Sequence, residues 1–177
     1  ITVLGRRGML ALSRSIEDEC LASAVRPRLG VAFQRATEWR AARRWNDLTE
    51  LATATTVFAD FAHSARREHR VTEVAITRDN PLAREWSVLC QSARFSALLA
   101  GWERPDGRFE TIWTVDPGAV HTGFGILDVL SRVHAPNLVP PHPDPTTDQR
   151  RGPVRSERSL AASAEAIALR AVARLGG

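Results

Sequence analysis

The chain has 177 residues, 44% of them hydrophobic and 25% charged. That suits one soluble globular domain, or one domain with an appendage, and leaves room for a core built without disulfides or metals. The formal charge is +4, all of the basic residues are arginine, and the arginines are mixed with carboxylates along the chain, so the pI of 10.7 overstates the basic character and direct nucleic-acid binding is not expected.

The run "RRGMLALSRSIEDECLASA" predicts a first helix. Met9, Leu12, Ile16 and Cys20 recur at three- and four-residue steps and make one apolar stripe, with Glu17, Asp18 and Glu19 mostly on the other side. Pro27 ends it. "RLGVAFQ", Arg28 to Gln34, is short, apolar and rich in β-branched and aromatic residues, so a buried strand follows, with Val31 and Phe33 inward. "ATEWRAARRWNDLTELA" predicts a second helix, capped by Thr37, with Ala41, Trp45, Leu48 and Ala52 along one face.

"TTVFADF" reads as a second strand, "AHSARREHR" as a charged loop and "VTEVAIT" as a third strand. "RDNP" is a turn, because Asp and Asn bond their own backbone and Pro81 breaks pairing. "REWSVLCQ", "RFSALLAGWE" and "RFETIWTV" follow in close order, the last two joined through Asp106-Gly107. They predict a three-stranded antiparallel meander covered on both faces.

"DPGAVHTGFGILDVLSRV" predicts a helix with Asp116 as N-cap and Pro117 in its first turn, either broken or tightly packed at Gly123 and Gly125. The stretch 135–155 is rich in Pro and has no period, and reads as a linker. "SERSLAASAEAIALRAVARL" closes the chain as a helix capped by Ser156, with a stripe of Leu160, Ala164, Ile167, Ala171 and Leu175 that must be buried on its own domain or on a partner. The expected fold is α+β, a mostly antiparallel sheet flanked by helices. A main domain spans 1–134, a linker 135–155 and a terminal helix 156–177.

Sequence motifs for chemistry are sparse. No Cys-x-x-Cys, His-Glu-x-x-His, Gly-x-Ser-x-Gly or phosphate-loop pattern occurs, so catalysis and metal binding are not expected and no cofactor is indicated. Cys20 and Cys90 read as two buried free thiols suited to a reducing cytoplasm. No apolar run approaches the ~20 residues of a membrane span, and no signal-peptide pattern opens the chain.

What remains is aromatic. Trp45 and Trp113 read as core. Trp86 and Trp102 each adjoin a carboxylate, Glu85 and Glu103, and each has an arginine close by. Indole faces beside charged groups can line a small-molecule pocket. At the end of the first strand Gln34, Arg35 and Trp39 bring together an amide, a guanidinium and an indole, and Asp60 ends the second strand. These eight residues are the candidate ligand site.

"LALSRSIEDECLA", "RPRLGVAFQR" followed by Trp39 and Arg40, "VFADF", "PLAREWSVLC", "LLAGWERP" and "RFETIWTVDP" occur in one order. Together they resemble the DICT sensory domain, over roughly Arg7 to Val133, and most closely the actinobacterial type that follows a MerR-like helix-turn-helix. The resemblance implies a non-catalytic, cytoplasmic signal sensor that regulates transcription through an attached or separate DNA-binding partner. A small molecule or a partner protein is the expected signal, and the stripe of the terminal helix gives a homodimer as a further expectation. A protein-interaction or dimerisation module with no small ligand is the alternative.

Overall fold

A computed structural model of the chain describes residues 1–138 and 157–176. The expected linker falls largely outside these residues, as does Ser156. The elements are β1 (Thr2–Leu4), α1 (Arg6–Ser23), β2 (Arg28–Ala32), α2 (Ala36–Ala41), α3 (Arg44–Leu51), β3 (Ala54–Ala59), β4 (Ala65–Arg66), β5 (Val71–Ala75), a 3-10 turn (Pro81–Arg84), β6 (Glu85–Gln91), β7 (Ser96–Glu103), β8 (Phe109–Thr114), α4 (Pro117–His134) and α5 (Glu157–Gly176).

The described strands form one sheet in the order β1-β8-β7-β6-β2-β3-β5-β4. β6, β7 and β8 pair antiparallel in sequence order, and β6 pairs antiparallel with β2. Only β2–β3 and β3–β5 are parallel. The fold is α+β and mostly antiparallel, with helices on both faces. Because side chains alternate across a strand, each strand feeds two cores. Leu29, Val31, Val57, Val88, Cys90, Ala97 and Leu99 face α1 and α3, with Trp45 and Ile167 in the same cluster. Ala32, Phe58, Val74, Leu89 and Leu98 face α4 through Val120, Phe124 and Leu127.

Several elements differ from the local reading. β1 and β4 were not expected. β1 is three residues long and exists through pairing with β8, a partner more than a hundred residues away. β4 turns into β5 through His69 and Arg70, both with left-handed φ of 50° and 57°, without the Asn or Gly that usually marks such a turn. The expected second helix is two helices, split at Ala42, where ψ is 69°. Thr37 does not cap it. Asp60, at the end of β3, accepts the Ala36 N–H at 2.7 Å instead. A tertiary cap of this kind leaves no local sequence signal.

The capping expectations for α4 hold. Asp116 accepts the Ala119 N–H at 2.8 Å, and Pro117 occupies the first turn. The helix is unbroken. A Cβ at Gly123 would lie 2.7 Å from Leu98, so the glycine lets the helix press onto the sheet. Gly107, with φ of 76°, makes the β7–β8 turn.

The terminal helix buries its stripe on its own domain. Leu160, Ala164 and Ala171 pack on the α1-side core around the fully buried Ile167, while Leu175 stays 44% exposed. α5 lies on α1, held by Arg170–Glu19 at 2.7 Å and an Arg174–Asp18 pair. Covered by α3 and α5, the acidic side of α1 is not a solvent face: Glu17 and Glu19 are buried. Trp45 is core as expected. Trp113, expected to be core, is 37% exposed, because β8 lies next to the short edge strand β1.

Candidate functional site

Five of the eight candidate residues, Gln34, Glu85, Trp86, Trp102 and Glu103, gather at one end of the sheet, where β2 finishes, β6 begins and β7 ends. Alternation divides them between the two faces. On the α1 face, Gln34 follows β2 and donates from Nε2 to Glu103 Oε2 at 2.6 Å. Trp86 lies half-buried on the same face, edge-on to Phe109 with centroids 5.8 Å apart. Two residues not foreseen complete this group. Arg6, in the first turn of α1, sits 5.4 Å over the Trp86 ring, donates to Gln34 Oε1 at 3.4 Å and pairs with Glu38 of α2.

Arg6 therefore ties the start of α1 to β2, α2 and β6. Its role depends on where β1 places the chain before α1. Since β1 is set by a distant partner, the sequence carries no local signal for it.

On the α4 face, Glu85 and Trp102 stand opposite one another across β6 and β7. Arg84 lies 5.2 Å over the Trp102 ring and donates to the Glu103 backbone carbonyl. Burial pushes the Glu85 carboxyl above its ordinary value, opposed in part by the Ser87 hydroxyl.

Trp39 and Asp60 belong to a neighbouring group around α2. Trp39 packs between Phe33 and Trp45, each with ring centroids 5.7 Å away, and donates from Nε1 to Glu73 at 3.3 Å. Glu73 is buried on β5 and also accepts from Arg67 at 2.8 Å. It too was missed, because a lone Glu within an alternating strand gives no warning of a buried partner. Asp60 is engaged in capping α2, with Arg78 3.5 Å away. Arg35 is exposed.

A second polar network lies on the far side of α1. Glu17 accepts from Ser13 and from Arg44 at 3.3 Å, and Arg44 also pairs with Asp18. Burial pushes the Glu17 carboxyl up, against the opposing pull of Arg44, Ser13 and Trp45. The structure also brings together two residues that the sequence left apart: the Cys20 and Cys90 sulfurs are 2.7 Å from one another, both buried. Burial, followed by the neighbouring Cys20, pushes the Cys90 thiol well up.

Among the described residues no group of three or more His, Cys, Asp or Glu could hold a metal ion, and no helix is long and apolar enough to cross a membrane. The sheet-end group offers instead an indole face, an amide, a carboxylate and a guanidinium. That set can recognise a flat, hydrogen-bonding surface.

The chain belongs to the DICT family, described as the sensory domain in diguanylate cyclases and two-component systems, whose model matches residues 2–104. The match ends in the β7–β8 turn, although β8 and α4 complete the sheet and its second face. No curated protein and no solved structure matches the chain. As a member of a sensory family it has a signal-sensing role.

Proposed function

We propose that the chain is a non-catalytic, cytoplasmic sensing domain that controls transcription through an attached or separate DNA-binding partner. Its signal is a small molecule, received at the sheet end by Gln34, Trp86 and Glu103, with Glu85, Trp102, Arg35, Trp39 and Asp60 around them. The observation that carries the reading is Arg6, one side chain that joins the candidate site to the first turn of α1. α1 in turn carries α5. A ligand that displaced the Gln34–Glu103 bond and stacked on Trp86 would release Arg6 and change how α1 and α5 pack, which is a differential contact of the kind allosteric coupling requires.

Thermal-shift panels of nucleotides, flavins and tetrapyrroles test this reading. At least one compound should raise the melting temperature of the native chain and lose its effect in Trp86→Ala and Gln34→Ala. A panel with no shift, or shifts untouched by both variants, would count against it.

A second reading, an interaction module with no small ligand, is favoured by the outer face of α5, where Leu169 and Val172 are exposed. Leu169→Asp with Val172→Asp separates the two. A fall in the number of chains per particle supports assembly through this face, and an unchanged number removes that support.

A further inference from the structure

Cys20 and Cys90 are the chain's two cysteines, and the fold sets them against one another. Cys20 stands in the last turn of α1. Cys90 stands on β6, an inner strand, between Leu29 of β2 and Ala97 of β7. The short connection from Ala24 to Pro27 joins α1 to β2 beside β6, so the chain itself holds the end of the helix over the strand. The sulfurs lie 2.7 Å apart, closer than two unbonded sulfurs pack, and joining them needs an approach of only ~0.7 Å.

Packing alone does not ask for this pair. A buried thiol among hydrocarbon acts as a small hydrophobe, a role that alanine or valine also fills. Among the described residues neither sulfur has a hydrogen-bonding partner other than the opposite sulfur. Both residues are sealed, at 2% and 1% exposure, so a bulky thiol or a second chain does not reach them in the closed fold. The covalent partner within reach of each sulfur is the other.

We propose that Cys20 and Cys90 form a reversible disulfide that latches the end of α1 to β6 when the protein meets a peroxide. The Cys20 sulfur gives an electron pair to one peroxide oxygen, the O–O bond breaks, a water leaves and a sulfenic acid forms. The Cys90 sulfur then attacks the Cys20 sulfur, the S–O bond breaks and a second water leaves. Two thiols have lost two electrons and two protons, and one hydrogen peroxide has become two waters. A thiol reductant reverses the change by exchange. Burial, with Cys20 beside it, keeps Cys90 as the protonated thiol, so the resting pair is unreactive and oxidation waits for α1 to lift from the sheet. Because α1 carries α5, the closed bridge fixes both helices. The latch lies toward the far end of β6 from Glu85 and Trp86, and it stands or falls independently of the ligand reading.

Thiol counting on the unaltered chain tests the latch. The native protein is treated with hydrogen peroxide, the peroxide is removed with catalase, and the chain is then unfolded in an alkylating reagent. Both cysteines should be alkylated before treatment, neither after it, and both again after dithiothreitol. Intact mass should show a single chain lighter by two hydrogens at its cysteines, and digestion should yield the Cys20 peptide joined to the Cys90 peptide. The bridge closes a loop between residues seventy apart, so the oxidised chain should melt about 5 °C higher than the reduced one. Two thiols still alkylated after peroxide would show a packing pair only and overturn the proposal. So would a sulfinic acid on one cysteine in place of the bridge, a bridge between two chains, or an oxidised chain that melts no higher than the reduced one.

Discussion

Ile167→Ala probes the contact on which the link between α1 and α5 depends. Ile167 is fully buried in the cluster that also holds Met9, Leu12 and Ile16 of α1. The change removes three carbons, worth about 0.8 kcal/mol each by transfer, and leaves a cavity lined by helix α1, so the total cost is about 2–5 kcal/mol. Two ion pairs, Arg170–Glu19 and Arg174–Asp18, flank the contact, but their arginines are a third exposed and contribute little. The loss therefore falls on the docking of α5. Amide exchange across residues 157–176 is the assay. Exchange there should speed up by ~30-fold or more, the factor that corresponds to the lower bound of about 2 kcal/mol. Urea unfolding followed at the tryptophans gives the companion value for the rest of the fold. If neither α5 protection nor the unfolding midpoint changes by more than about 0.5 kcal/mol, α5 is not docked through this face and the reasoning fails.

Phe124→Ala should destabilise the whole domain by about 3–5 kcal/mol, because the ring is buried between α4 and the sheet, and a urea midpoint near that of the native chain would contradict it. Glu17→Gln gives a pH-dependent difference. Burial raises the folded-state value of Glu17, so its neutral form is the one favoured by folding. Its favourable contribution is complete below the unfolded value of about 4.5 and is lost as pH rises through the folded value. The Gln variant should therefore gain on the native chain as pH rises through that window, and a constant or reversed difference in urea midpoints would refute this. Cys20 and Cys90, 2% and 1% exposed, should resist a thiol-modifying reagent until the protein unfolds, and then react together; rapid labelling of native Cys90 at mildly alkaline pH would contradict the packing.

Elements with a local period or cap were legible in the sequence. α4 announced itself through Asp116 and Pro117, and the three strands β6, β7 and β8 through apolar runs and Asp106-Gly107. Elements that depend on distant partners were not legible. β1 is made by β8, the start of α2 is capped from β3 by Asp60, and the β4–β5 turn uses His69 and Arg70 in place of the residues that usually take left-handed φ. The acidic run of α1 pointed to solvent by its polarity, yet α3 and α5 cover it and supply arginines. At the candidate site the same division holds. Gln34, Trp86, Glu85, Trp102 and Glu103 stood out because polar and aromatic types collect at strand ends. That alternation separates Trp86 from Trp102, and that Arg6 joins the first group to α1, follows only from the register of the sheet. Cys20 and Cys90, seventy residues apart, meet because α1 crosses β6.

The account's central claim is that the sheet end communicates with α5 through α1. Amide exchange of Gln34→Ala against the native chain tests this without any ligand. The substitution removes the bond to Glu103 and the acceptor for Arg6, so exchange should quicken in the first turns of α1 and also in α5, between Leu160 and Ala171. A change confined to the loop after β2, with α1 and α5 protected as before, would contradict it.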